Sequence, residues 1–400
     1  MTLGTPTIKQ FRTYYLLFAL FINVIATMYM IANDNNTMDA NTQHAHYVRF
    51  LYCAVWAICA TWFVRDRIRG ELNTQIIKSF VIFAIGTCVS LFITHVGNKL
   101  ILVSNLLLFI APCLTIMGCY TYGYRYGREN AIFYLIAITI LASAISYFSI
   151  YRSYNILGER GHFGVAYYVL YLLPLILASN KRWMRILSIV IVSIVIISSV
   201  KRGGLIALAL GMIVYLSVSK IISSSNAIKS FALLVFSLII LGGFLYLTIH
   251  YLGGNIIERL FDSNDETGSG RLDIWESLYQ RLIKQDITLW IFGNGHMATT
   301  EYSWENLTAH NDFLEILYDY GLVNLVIYIS FLLSATAYTI RSIRNKSTLA
   351  PCMAMLLTIF LTLSMVSIII LSHTCTLSMM GFGLLIGWNE YETRLALEQD

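Results

Sequence analysis

Three places in this chain keep charged or titratable groups where a mostly apolar sequence has little reason to hold them. The first is Lys201-Arg202, followed by Gly203-Gly204, between two apolar runs. The second is Arg271, directly after Gly268-Ser269-Gly270 and at the head of a segment with helical spacing. The third is His310, in TAHNDFLEILYDYGL (308–322), where Asn311, Asp312, Glu315 and Asp319 crowd the first turns of a helix. That helix then runs on into the apolar VNLVIYISFLLSATAY (323–338).

Each residue type points to a particular chemistry. A guanidinium is planar, permanently charged and donates hydrogen bonds in pairs, which suits a phosphate held at membrane level. Gly203 and Gly204 permit a tight reversal that holds Lys201 and Arg202 close to two helix ends; snorkelling of both side chains to lipid headgroups satisfies the same spacing. Arg271 adds its charge to the free N–H groups of a helix N-terminus, an anion-favouring combination. It fits equally a solvated helix residue paired with Asp273 or Glu276. A neutral imidazole at His310 can take a proton from a hydroxyl, although a lone interfacial histidine also serves simply as a hydrogen-bonding group. Asp312 and Glu315 have capping-box-like spacing, and acids stabilise a helix N-terminus, so their reading is structural. Gly293-Asn294-Gly295 reads as a turn. His250, His296 and His373 have no supporting pattern.

The elements that must position these groups are membrane spans. Hydrophobic residues make up 57% of the 400 residues and charged residues 12%, well below the charged fraction of a soluble domain. Apolar runs long enough to cross a bilayer recur throughout, and about 12 spans are expected. They fall near 13–32, 47–64, 79–97, 101–120, 131–149, 164–179, 186–200, 205–219, 231–250, 320–340, 351–371 and 374–388. The fold class is therefore an all-α polytopic membrane protein, with residues 1–400 forming one integral membrane domain. TYYLLFALFINVIATMYMIA (13–32) lacks a convincing small-residue cleavage site before or after it and reads as a retained first span.

Charge sets the expected sidedness. With the N-terminus inside, most Lys and Arg fall in inside loops, whereas the short outside loops hold only Arg49, Lys99, Arg152, Arg160, Lys201 and Arg202. Both termini are thus expected in the cytoplasm. Residues 251–312 form a large outer loop between spans nine and ten. In it, Leu272, Trp275, Leu278, Leu282 and Ile283 recur at helical spacing, an amphipathic helix with Ser269 as its N-cap. A second outer loop, 150–164, is smaller. The seven cysteines lie in or beside apolar runs without metal-ligand spacing and read as small apolar residues.

These features bear on function class. The net charge of +5 is scattered between spans, so it reads as topology and gives no nucleic-acid surface. Coupled transporters carry ionisable groups or broken helices near the bilayer midplane. Here the unusual polar residues gather at outer span ends, which argues for a site at the outer membrane–water interface. No outer carboxylate cluster reads as a Mg²⁺ or Mn²⁺ site.

Three pieces, VKRGGLIAL at a span end, SGRLDIW with the following IFGNGH in the large loop, and AHNDFLEILYDYGL entering the next span, resemble in order and spacing the O-antigen polymerase and O-antigen ligase superfamily of bacterial inner-membrane glycosyltransferases. The resemblance covers roughly residues 198–330. It implies a C-type glycosyltransferase fold and an undecaprenyl-diphosphate-linked glycan donor, with no metal and no cofactor. It also implies an acceptor that is either another lipid-linked glycan or lipid A core. By this resemblance Arg202 and Arg271 bind the diphosphate and stabilise the charge that develops as it leaves. His310 activates or orients the acceptor hydroxyl for inverting attack at the anomeric carbon. Lys201, Asn311 and Glu315 border the substrate, and Asn311, Asp312 and Glu315 also support the loop–helix junction. Lys-Arg-Gly-Gly stands where many relatives read Arg-Gly-Ala, which leaves the arginine in place. The wording of the second and third pieces leans towards a polymerase, with the ligase as the alternative and a lipid-glycan transporter third. A chain-length regulator and a flippase are the partners expected by analogy.

Overall fold

The computed structural model describes residues 8–33, 43–68, 75–94, 99–157, 165–199, 201–223, 271–303 and 307–399. The expected ninth span at 231–250, the first part of the large loop with Gly268, Ser269 and Gly270, and residues 158–164 of the smaller loop lie outside the described residues, as do the side chains of Arg202 and His373. Every regular element among the described residues is an α-helix. They are α1 (Ile8–Asn33), α2 (Gln43–Ile68), α3 (Gln75–Thr94), α4 (Lys99–Tyr126), α5 (Asn130–Leu157), α6 (Val165–Leu177), α7 (Arg182–Ser198) and α8 (Arg202–Ser223). After the undescribed stretch come α9 (Arg271–Leu282), α10 (Ile287–Phe292), α11 (Ala298–Tyr302), α12 (Asp312–Arg344), α13 (Ala350–Val366) and α14 (His373–Gln399).

Among the described residues six helical stretches are long and apolar enough to cross a bilayer: Tyr47–Asp66, Gln75–Ile93, Leu102–Tyr126, Asn130–Ser149, Gly203–Ser223 and Asp312–Arg344. Two shorter apolar helices, Ala166–Leu177 and Ala350–Val366, stand beside them. The chain is a multi-pass membrane protein. Its tightest packing runs between α14 and α4, where a Cβ on Gly387 would lie 2.5 Å from the Tyr120 carbonyl oxygen. Small residues let two helix backbones approach this closely, a common device where lipid removes the hydrophobic drive for helix association.

The helix ends gather on two rims. On one, the fully buried Asp66 at the end of α2 takes Arg125 of α4 at 2.6 Å and Arg12 of α1 at 3.6 Å. Lys9 pairs with Glu129 at 3.3 Å, and Arg128 with Glu392 of α14 at 2.6 Å. The opposite rim carries the starts of α2, α4, α8 and α12, the ends of α3 and α13, and the short helices α9 to α11. Arg49, expected in an outer loop, is instead buried on α2, where it donates to Ser104 Oγ at 3.0 Å and Asn105 Oδ1 at 3.2 Å.

A break inside α12 organises this second rim. Gly321 has φ 83° and ψ 173°, a conformation essentially reserved for glycine, so residues 312–320 form a separate segment before the span proper. In an unbroken helix the Tyr318 and Asp319 carbonyls would accept the amides four residues on. Here they accept Asn294 N–H at 2.9 Å and Gly295 N–H at 3.0 Å, and the Asn294 side chain also donates to Tyr318 O at 2.9 Å. The Tyr320 carbonyl takes the side-chain amide of Asn324 at 2.7 Å. Gly293, with φ 87° and ψ 172°, meets the break backbone to backbone; a Cβ there would sit 2.2 Å from Asp319 O. The Gly-Asn-Gly turn is thus the element that satisfies the groups freed by the kink.

Two span expectations are corrected at this rim. The span drawn to residue 371 stops being helical at Val366, and the irregular stretch that follows is tolerated because Asp312 Oδ1 accepts the amides of Ile369 at 2.8 Å and Ile370 at 3.2 Å. Gly203 and Gly204, expected in a reversal, lie in the first turn of α8.

Candidate functional site

The loop helix α9 forms where the sequence places it, with its buried face shifted so that only part of the expected stripe is covered. Ile274, Leu278 and Leu282 are buried against Ala309 and Tyr318, whereas Leu272 and Ile283 of the expected stripe are exposed. Periodicity admits both stripes, since apolar residues flank the helix on two sides; the one that meets the start of α12 is buried. Trp275 lies between them, half-buried, and its indole N–H donates to the Ala309 carbonyl at 2.7 Å. Arg271 stands four residues earlier, one turn up the same face. The indole bond therefore fixes the arginine's helix against the residue that precedes His310.

Both sides of His310 are tied down. The Ala309 amide donates to Glu315 Oε2 at 2.8 Å while its carbonyl takes the indole. Asn311 is the N-cap of α12, its Oδ1 accepting from Leu314 N–H at 3.1 Å, and its amide nitrogen donates to the Met365 carbonyl at 3.4 Å. Between these anchors His310 adopts φ 49°. Left-handed backbone costs a non-glycine residue about 1 kcal/mol, and it persists only where its surroundings over-determine it. The anticipated pairing of Asp312 with Glu315 as a capping box is corrected: Asn311 caps the helix, Glu315 reaches back past it to Ala309, and Asp312 holds the stretch after α13. Glu315 is fully buried beneath this junction.

The expected cations approach the same place from other helices. Lys201 Nζ lies 6.0 Å from the centre of the Tyr167 ring. The Arg271 charge acts through space on the Tyr167 hydroxyl, which also hydrogen-bonds Ser367. A Cβ on Gly203 would lie 2.7 Å from Val366 Cγ2 and 3.6 Å from the same hydroxyl, so the first turn of α8 is pressed against the end of α13. Met365, whose carbonyl receives Asn311, directly precedes these residues. Lys201 and the first turn of α8 thus lie against Tyr167 and Val366, while Asn311, the residue after His310, reaches Met365.

Tyr167 is the residue that sequence reasoning passed over. It sits in VAYYVLYLLP (165–174) with Tyr168 and Tyr171, and nothing in the spacing distinguishes it. The available signal was position, since Tyr167 is among the first residues of its span. Ser367 was hidden by the assumption that the span continues to 371.

Asp319 performs a supporting task nearby. Its carboxylate accepts Met297 N–H at 2.9 Å, Thr299 N–H at 2.8 Å and the Thr299 hydroxyl at 2.7 Å, which caps α11 from outside. His296 Nδ1 and the Tyr320 hydroxyl are 2.5 Å apart. Among the described residues no three His, Cys, Asp or Glu side chains are grouped as metal ligands.

In chemical terms the rim carries cationic side chains on helices that meet near an imidazole. No curated protein matches the chain. Residues 187–329 match the family described as O-Antigen ligase. Lys201, Arg202, Arg271 and the whole His310 junction fall inside the matched stretch, which supports the O-antigen polymerase and ligase superfamily.

Proposed function

We propose that the chain is a polysaccharide polymerase of the O-antigen or capsule type, in the bacterial inner membrane, with both termini cytoplasmic and its site on the periplasmic side. In this reading it moves a glycan from undecaprenyl diphosphate to a hydroxyl of a second lipid-linked repeat unit. The acceptor oxygen forms a bond to the anomeric carbon as the bond from that carbon to the phosphate oxygen breaks, with inversion. The diphosphate leaves with the bonding electron pair, and the acceptor proton passes to the His310 imidazole or is directed by it.

The observation that carries this reading is the linkage of Arg271 to His310 through Trp275 and Ala309, with Asn311 against Met365 and Lys201 and the start of α8 against Tyr167 and the adjoining Val366. A diphosphate leaving group needs positive charge already in place when its own charge develops, and a low-dielectric rim makes that charge count for more than it would in water. Arg202 and Arg271 supply it in this scheme without a metal, and Asn311 and the amides around it border the acceptor.

The matched family description favours a second reading, transfer of the finished glycan to lipid A core. Both readings share the donor site and differ in acceptor. Reconstitution with purified lipid-linked repeat units alone separates them: lengthening glycans are expected, and product that forms only after lipid A core is added assigns the chain to the ligases. Movement of substrate across the bilayer with no new glycosidic bond contradicts both.

A further inference from the structure

α10 is a six-residue apolar helix, ITLWIF, none of whose residues is buried. Ile287 is 70% exposed and Phe292 45% exposed, unusual for side chains of this size if they faced water. The helix is nonetheless held firmly. The Phe292 carbonyl accepts the Ser90 hydroxyl of α3 at 2.7 Å, Gly293 meets the break at Gly321, and the Trp290 indole donates to Leu282 O at 2.6 Å.

Those anchors fix its depth. Ser90 lies four residues before the end of α3 at Thr94, about 6 Å inside that end at the helical rise. The exposed face of α3 beside it is apolar, with Ile85, Val89 and Phe92 at successive turns, and α12 presents exposed Leu322 and Val326 just beyond its break. Both are faces of helices long and apolar enough to span the bilayer. The α10 surface therefore continues the exposed apolar stripes of two span-length helices. Its other end carries exposed Lys284 and Asp286, and Asp286 caps the helix by accepting Thr288 N–H at 2.7 Å. An apolar face with a charged end, inserted a few ångströms below the span ends, matches an interfacial helix.

We propose that α10 is inserted in the headgroup–acyl boundary of the membrane, with lipid as the occupant of its exposed face. Through Trp290 and Leu282 it holds α9, and hence Arg271, at a fixed depth relative to the bilayer. This placement does not depend on which acceptor the enzyme uses, or on the chemistry at His310.

The test uses the full chain in vesicles of phosphatidylethanolamine and phosphatidylglycerol, doped with a phospholipid bearing a photoactivatable diazirine high on its acyl chain. After illumination, lipid adducts are expected on residues 287–292 as well as on the Ile85–Phe92 face of α3. Ile287→Asp combined with Phe292→Asp should lower the α10 adduct roughly tenfold while leaving that of α3 unchanged, since an ionised side chain is strongly disfavoured at acyl depth. Labelling of 287–292 by a water-soluble carbene reagent with no lipid adduct would overturn the proposal. Cross-links from this peptide to a second copy of the chain, again without lipid adducts, would overturn it too.

Discussion

The two rims of this bundle treat their carboxylates in opposite ways. At the Asp66 rim, acids meet bases: Asp66 takes Arg12 and Arg125, Glu129 takes Lys9, and Glu392 takes Arg128. At the His310 rim, Asp312, Glu315 and Asp319 instead accept backbone amides and hydroxyls. There Lys201 lies 6.0 Å from the centre of the Tyr167 ring, and Arg271 is tied to the His310 junction through Trp275. The first arrangement locks helices together. The second uses acids to hold irregular backbone in place and sets Lys201 beside a tyrosine.

That contrast can be broken at either rim, and the largest effect is expected at the Asp66 rim. Asp66→Asn leaves Arg12 and Arg125 facing a neutral group; removing one partner of a buried pair costs on the order of 3–5 kcal/mol. Thermal unfolding in detergent should show that loss, while turnover per folded molecule stays near wild type. Gly321→Ala tests the latch on the opposite rim. Its Cβ would lie 2.2 Å from Ile291 O in a backbone conformation that alanine avoids, for a cost of about 3 kcal/mol. Limited proteolysis should then cut near the Gly-Asn-Gly turn, because the amides of Asn294 and Gly295 lose their acceptors.

The smallest expected change is the most specific. Trp275→Phe keeps the ring and removes the indole donor to Ala309 O, a loss of about 1 kcal/mol. Unfolding should move little, whereas kcat should fall because His310 is no longer registered against Arg271. Equal losses in stability and turnover would reduce Trp275 to a packing residue.

The sequence made some of this legible for clear physical reasons. Spans announce themselves by length and hydropathy, and the three charged segments stood out because lipid penalises charge. The helix starting at Arg271 was readable from its period, and Leu278 and Leu282 are buried as expected, but Leu272 and Ile283 fit the spacing as well as Ile274, which takes the buried place. The latch was out of reach for another reason. Gly293 and Gly321 explain each other only once they touch, and each alone reads as a turn or as a glycine at an interface. Arg49 was misplaced because charge-based topology counts residues near span ends and cannot see a side chain folded inward onto Ser104 and Asn105. Tyr167 was invisible because its importance lies in what four distant segments bring to it.

The central claim is that Lys201, Arg271 and His310 border one site for a lipid-borne diphosphate. A photoreactive undecaprenyl diphosphate, bound to the full chain in vesicles and mapped after illumination, tests it most directly. The account predicts adducts on all three of residues 198–203, 271–275 and 309–312 from a single probe position near the phosphates, each competed by unlabelled undecaprenyl diphosphate. Adducts confined to one of these segments, or lying on the Asp66 rim, would contradict it.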